Sequence, residues 1–197
     1  MLLRQCEHEK IERAVTIVRN FAAEHGWEEY CTSFDQTPVQ IAQDQASLCT
    51  HLRDIGELDD DPPPGLIAVV LTEMVIVVDE DDVNNIRPEY LEIDDGWVRL
   101  IAHEFAHLLH EAIVSGDEEK LGPRWFFEGF ACMAAGQTLG RVFDTESPEQ
   151  VLEAVKLECR GQYAAFEAAV RYFCQRYDLA DLVERAGNES FEQWLLQ

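Results

Sequence analysis

Trp97-Val98-Arg99-Leu100-Ile101-Ala102-His103-Glu104-Phe105-Ala106-His107-Leu108-Leu109-His110-Glu111-Ala112-Ile113 is the stretch that decides how this chain folds. Trp97, Leu100, Ile101, Phe105, Leu108, Leu109, Ala112 and Ile113 recur at helical spacing, which predicts a long and largely buried helix. Asp94 and Asp95 supply a cap and a negative charge at its start, and Ser115-Gly116 ends it. Four residues turn about 400° and rise about 6 Å on an α-helix, so His103 and His107 project from one face where both can reach a single cation. Glu104 lies one step round, placed to touch a metal-bound water without itself ligating the metal. The plainer account is a pair of core histidines whose partners lie elsewhere.

Catalytic zinc takes three protein ligands and leaves the fourth position to water, so a third ligand is expected from a second helix. Glu128 is the candidate. It stands in Pro123-Arg124-Trp125-Phe126-Phe127-Glu128-Gly129-Phe130-Ala131, beyond a loop that allows a returning helix. An unpaired carboxylate among four aromatic residues is costly to bury, which argues for a partner. As an alternative, Glu128 is a solvated residue on the polar side of that helix. His110 reads as a helix-surface histidine or, less simply, as a group just behind the metal.

At these two motifs the chain resembles the gluzincin metallopeptidases, the thermolysin-like and aminopeptidase-like group, and its W-F-x-E-G-x-A form looks most like the peptidase-MA-like domains. The likeness covers about residues 95–197, specifically at the motifs and loosely beyond them. The spacing from His107 to Glu128 is slightly longer than in the best-known members, and Cys132 stands where thermolysin-like enzymes carry an acid. A metzincin is excluded, because His110 and Ile113 occupy the glycine and third-histidine positions of that motif. The G-x-M-x-N strand of related aminopeptidases is missing as well. The resemblance implies one Zn²⁺ held by His103, His107 and Glu128, with Glu104 as general base. It further implies an oxyanion donor from the C-terminal lobe, for which Tyr163 is the candidate and Tyr172 the second choice. An edge strand before the zinc helix, in residues 66–71 or Met74–Val78, would bind substrate backbone by strand addition.

The chemistry expected of that ligand set is peptide hydrolysis. Zinc held by two neutral imidazoles and a carboxylate brings the pKa of its water near 7. Glu104 would take the proton and deliver it to the leaving amine. The rival reading is a zincin-like module that binds a partner protein and cleaves nothing, or only itself.

Composition bounds these readings. The chain of 197 residues carries 15 Lys and Arg against 39 Asp and Glu, a net charge of −24, which argues against nucleic acid or an anionic membrane as partner. Acidic runs such as Asp79 to Asp82 and Asp117 to Glu119 offer a way to steer basic peptide or protein substrates, against the plainer reading of a solvated surface. No apolar run is long enough to span a membrane, and the first ten residues have no signal core. Six scattered cysteines without a CxxC fit reduced thiols in the cytoplasm. A Cys6 thiolate that caps the zinc is a further, remoter reading.

Before the zinc helix, Ile11, Ala14, Val15, Val18, Phe21 and Ala22 predict an amphipathic helix ended by Gly26, and residues 27–34 read as a strand. Thr37-Pro38-Val39-Gln40 reads as a capping box that opens a helix through Leu52. Residues 57–65 read as a connector. Past Glu128 the pattern is helical: Gly140 is expected to close the glutamate helix, Ser147-Pro148-Glu149-Gln150 is another capping box, and Ser190 caps a last helix with Trp194. The expected fold class is α+β and zincin-like, in one domain. A small mixed β-sheet lobe with backing and HExxH helices would occupy residues 1–116, and an all-α lobe residues 117–197.

Overall fold

A computed structural model describes residues 5–58, 65–71, 74–137, 140–156 and 163–197. The architecture is mixed α+β and mostly helical, with one small sheet. Helix α1, Gln5–Glu24, turns Ala14, Val15, Val18 and Ala22 into the core and ends ahead of Gly26, whose φ is 73°. Strand β1, Val39–Ala42, is followed by α2, Gln45–Asp54, by β2, Ala68–Leu71, and by β3, Met74–Val78. The sheet order is β1-β3-β2, with β1 parallel and β2 antiparallel to β3. Val75 to Val78 on the central strand are fully buried, as an apolar run between two partners should be.

Two expectations for the N-terminal lobe give way. Residues 27–34 form no strand but two short 3₁₀ turns, Glu28–Cys31 and Phe34–Gln36. Trp27, Cys31 and Phe34 are the buried positions there, and their spacing of four and three is helical, not alternating. Residues 39–42 form a strand and not the first turn of a helix. Val39 pairs with Val75 and Ile41 with Val77, and the helix starts only at Asp44, whose side chain accepts from the Ser47 N–H at 2.7 Å. Tertiary pairing overrides the local capping signal. The connector expected at 57–65 falls mostly outside the described residues.

Helix α3, Glu80–Ile86, leads to α4, Gly96–Ile113, the helix that carries His103 and His107. Asp95 precedes α4, but in a left-handed conformation (φ 54°); its side chain pairs with Arg13 and does not cap the helix. Gly96 is required at the first turn, because a Cβ there would meet the Tyr90 carbonyl. The Trp97 indole N–H donates to the Val78 carbonyl at 2.9 Å and ties α4 to the end of β3.

The remaining chain is helical: α5, Arg124–Ala134; α6, Pro148–Val155; α7, Tyr163–Cys174; α8, Leu179–Arg185; and α9, Phe191–Leu195. Helix α5 ends at Ala134 and turns at Gly136 (φ 64°), ahead of the expected stop at Gly140. The capping box at Ser147 forms with both of its bonds, whereas the Ser190 side chain makes no cap bond. Gly129 lets α7 lie directly on α5, since a Cβ there would stand 2.5 Å from the Phe166 carbonyl. Both lobes share one continuous apolar core. Among the described residues no helix is long and apolar enough to cross a membrane, and the described cysteines, Cys6, Cys31, Cys49, Cys132 and Cys174, are free thiols.

Candidate metal centre

His103 and His107 leave α4 from one face, and Glu128 meets them from the second turn of α5. Their Nε2 atoms are 3.0 Å apart, and Glu128 Oε2 lies 3.2 Å from His103 Nε2 and 3.5 Å from His107 Nε2. A tetrahedral zinc with bonds of about 2.0–2.1 Å requires donor atoms roughly 3.3 Å apart, so this triangle has the size of one face of that tetrahedron. The donors also have the right chemistry, two imidazoles and a carboxylate, and among the described residues no other trio of His, Cys, Asp or Glu is so grouped. The residues fit a zinc ion.

Charge is distributed over the trio in a way that a cation would exploit. Burial lowers the His107 pKa to about 4, with the neighbouring His103 acting in the same sense, so its ring is neutral and ready to ligate. His103 moves the other way: burial opposes its charge, but Cys132, Glu128 and Glu104 outweigh that penalty. Burial alone would raise the Glu128 carboxyl, yet the two imidazoles hold it far below the usual range. The proton that His103 keeps against Glu128 is the one a divalent cation would displace.

Behind the donors, the structure supplies a group that the sequence did not disclose. Gln137 follows the turn after α5, and its Oε1 accepts from His103 Nδ1 at 3.2 Å while its Nε2 donates to the Arg99 carbonyl at 3.1 Å. An amide held at both ends keeps Nδ1 a donor and turns Nε2 toward Glu128 and His107. The Cys132 thiol lies 3.6 Å from the same Nδ1. His107 is held differently, by Phe127 stacked 4.1 Å from its ring, and its Nδ1 has no partner among the described residues.

Glu104 is buried beside the triangle and is not one of its corners. Burial raises its pKa to about 7, with His103 acting to lower it, Glu128 to raise it, and a hydrogen bond from the Val70 backbone N–H to lower it. That bond comes from β2, the edge strand. The Ile67 carbonyl accepts from the Val78 N–H at 2.8 Å, so antiparallel alternation turns the backbone groups of Ala68 and Val70 toward the open edge. Residues 65–70, the two imidazoles, Glu104 and Glu128 together line a cleft of about 220 Å³.

Tyr163, the first residue of α7, lines the same cleft, with its ring 5.9 Å from that of His103. Burial, with Glu128 adding to it, raises the phenol pKa and keeps the hydroxyl a donor. Tyr172 is not brought there; its hydroxyl donates to the Glu146 carbonyl at 2.9 Å. Cys6 lies elsewhere, in a pocket with Lys10 and Trp97. His110 is neither on the surface nor behind the metal, but fully buried against Phe126, Phe127 and Phe130. Arg124 lines the cleft 4.0 Å from Glu128, and Arg87 and Tyr90 join the lining without having left any signal in the sequence. Comparison of the chain with protein-family models, curated proteins and solved structures finds no match to any of them.

Proposed function

We propose that this chain is a zinc-dependent peptidase of the gluzincin type, with a zincin-like α+β fold. One observation carries the reading: a buried glutamate that is not a donor, Glu104, stands between the donor triangle and an open strand edge in a single cleft. A site that only held a metal for stability would have no use for such a group. Bound zinc would supply Lewis acidity and a water acidic enough to ionise near neutral pH. Glu104, with a pKa near 7, accepts a proton at that pH and can return it to the leaving amine. Tyr163 directs its hydroxyl hydrogen toward the carbonyl oxygen of a bound peptide as charge develops there. The outward backbone groups of Ala68 and Val70 hold an extended substrate in register by strand addition. Free thiols and the absence of paired cysteine spacing suit a reducing compartment such as the cytoplasm.

The test is a peptide-library digest with and without a chelator, run beside Glu104→Gln. That variant keeps shape and hydrogen bonding but cannot take the proton. Zinc content and thermal midpoint should match the parent, while cleavage falls about 10²-fold or more. A Gln variant that cleaves as fast as the parent sinks the mechanism. If the parent cleaves nothing in the library, the protein-binding module takes the place of the peptidase.

A further inference from the structure

We infer that the cleft receives an anionic peptide segment, whose carboxylates are held by Arg124 and Arg87; this rests on the peptidase reading. The chain has 15 basic residues against 39 acidic ones, so a cleft lined by more than one cation is unusual in it. Arg13, Arg19 and Arg171 are paired with Asp95, Asp35 and Glu167, and Arg99 donates to the carbonyls of Asp94 and Ala135. Two arginines line this one cleft, Arg87 with its Nε on Glu89 and Arg124 at 4.0 Å from Glu128, and each leaves the rest of its guanidinium to the cleft.

Arg124 stands at the metal end. Glu128 turns Oε2 to the imidazoles and Oε1 to Arg124, whose Nε is 4.0 Å away and so beyond hydrogen-bond reach. Its side chain is 40 % exposed, which leaves the guanidinium fork open to a ligand. Arg87 stands at the other end. It uses its Nε on Glu89 and carries Nη1 alongside Gly65. Gly65 and Val70 mark the two ends of the strand segment, at most about 17 Å apart, with Arg87 beside the first and Glu104 of the donor site accepting from the second, so a peptide of about five extended residues matches that segment.

The charges of the lining point the same way. Glu104 and Glu128 are its carboxylates, and a divalent ion cancels them. With neutral imidazoles, Arg124, and Arg87 on the side that Glu89 does not engage, then make the cleft a cationic spot within a chain of net charge −24. The acidic outer surface would draw basic peptides from a distance, but the cleft itself would refuse them, because a lysine there meets Arg87 or Arg124.

Binding can be read without hydrolysis, on zinc-loaded Glu104→Gln protein with fluorescent five-residue peptides. One peptide carries Asp and Glu side chains with an amidated end, a second the matching Asn and Gln, a third is that neutral peptide with a free C-terminal carboxylate, and a fourth carries Lys. The expected result is about tenfold or tighter binding for a carboxylate-bearing peptide over the neutral one, with the first and third peptides separating side-chain from terminal carboxylates. Arg124→Gln and Arg87→Gln should each erase part of that preference. Arg87 lies away from the donor triangle, so its variant keeps the test intact if Arg124→Gln alters zinc content. Equal binding of neutral and acidic peptides, preference for lysine, or an unchanged preference in both arginine variants would overturn the inference. Should the parent cleave no peptide while the Gln protein still selects carboxylates, the peptidase reading falls and the anionic cleft stands. Should it cleave neutral and acidic peptides alike, the reverse holds.

Discussion

The interface between α4 and α5 contains two histidine environments only a turn apart. At one, His103 and His107 meet the carboxylate of Glu128, and Gln137 braces the first ring from behind. At the other, His110 meets Phe126, Phe127 and Phe130, and neither ring nitrogen has a hydrogen-bond partner among the described residues. All three histidines come from one helix and face one neighbour. What separates a candidate metal site from an unpartnered buried ring is therefore the residue that α5 sets opposite each ring: a carboxylate in one place and phenyl groups in the other.

Removing the carboxylate should make the first patch resemble the second. Glu128→Ala leaves two imidazoles opposite nothing that can complete a three-donor face, and zinc affinity should fall about 10³-fold or more. Metal content after dialysis against a weak chelator checks this. Full occupancy in that variant would strike Glu128 from the ligand set and with it the gluzincin reading. A smaller loss is expected behind the donors. Gln137→Ala frees His103 Nδ1 from its acceptor and from its tie to the Arg99 carbonyl. Groups of that kind contribute about 10- to 100-fold in metal affinity. Competition with a chromogenic chelator would measure it, and an unchanged affinity would mean that Cys132 alone orients the ring.

The difference between these two residues also explains what could be read in advance. Glu128 is legible because its motif is local and a carboxylate among aromatic residues calls for a partner. Gln137 is not, since it reaches His103 only because α5 stops at Ala134 and the chain turns at Gly136, four residues before the expected stop at Gly140. The antiparallel pair β2 and β3 follows from two β-branched runs, and α4 from its periodicity. β1 was concealed by a capping signal at Thr37 that its pairing with β3 overrides. Residues 27–34 depart from the expected strand for a different reason, since their buried positions, Trp27, Cys31 and Phe34, keep helical spacing. His110 lies on the apolar stripe of α4, and nothing in one helix tells which residues of another will cover it.

The smallest effect, and the one that tests the second patch directly, is His110→Leu. Two buried nitrogens without partners cost free energy that an aliphatic side chain of similar size does not, so at pH 7 the variant should be more stable by on the order of 1 kcal/mol. The pH dependence sharpens this. The ordinary pKa of 6.5 is lowered to about 3 in the folded chain, by burial first and by His107 second. Above pH 6.5 the ring is neutral whether the chain is folded or not, and it adds no slope. As the pH falls from 6.5 toward 3, the unfolded chain takes up a proton that the folded chain refuses, and the parent loses stability that the leucine variant keeps. The gap between the two should widen steadily through that window in urea denaturation with chelator present, so that zinc release at acid pH does not enter. A gap that stays constant from pH 7 to pH 4, or a variant less stable than the parent at pH 7, would mean that His110 has a polar partner and that the phenyl-lined patch is not the apolar counterpart of the metal centre.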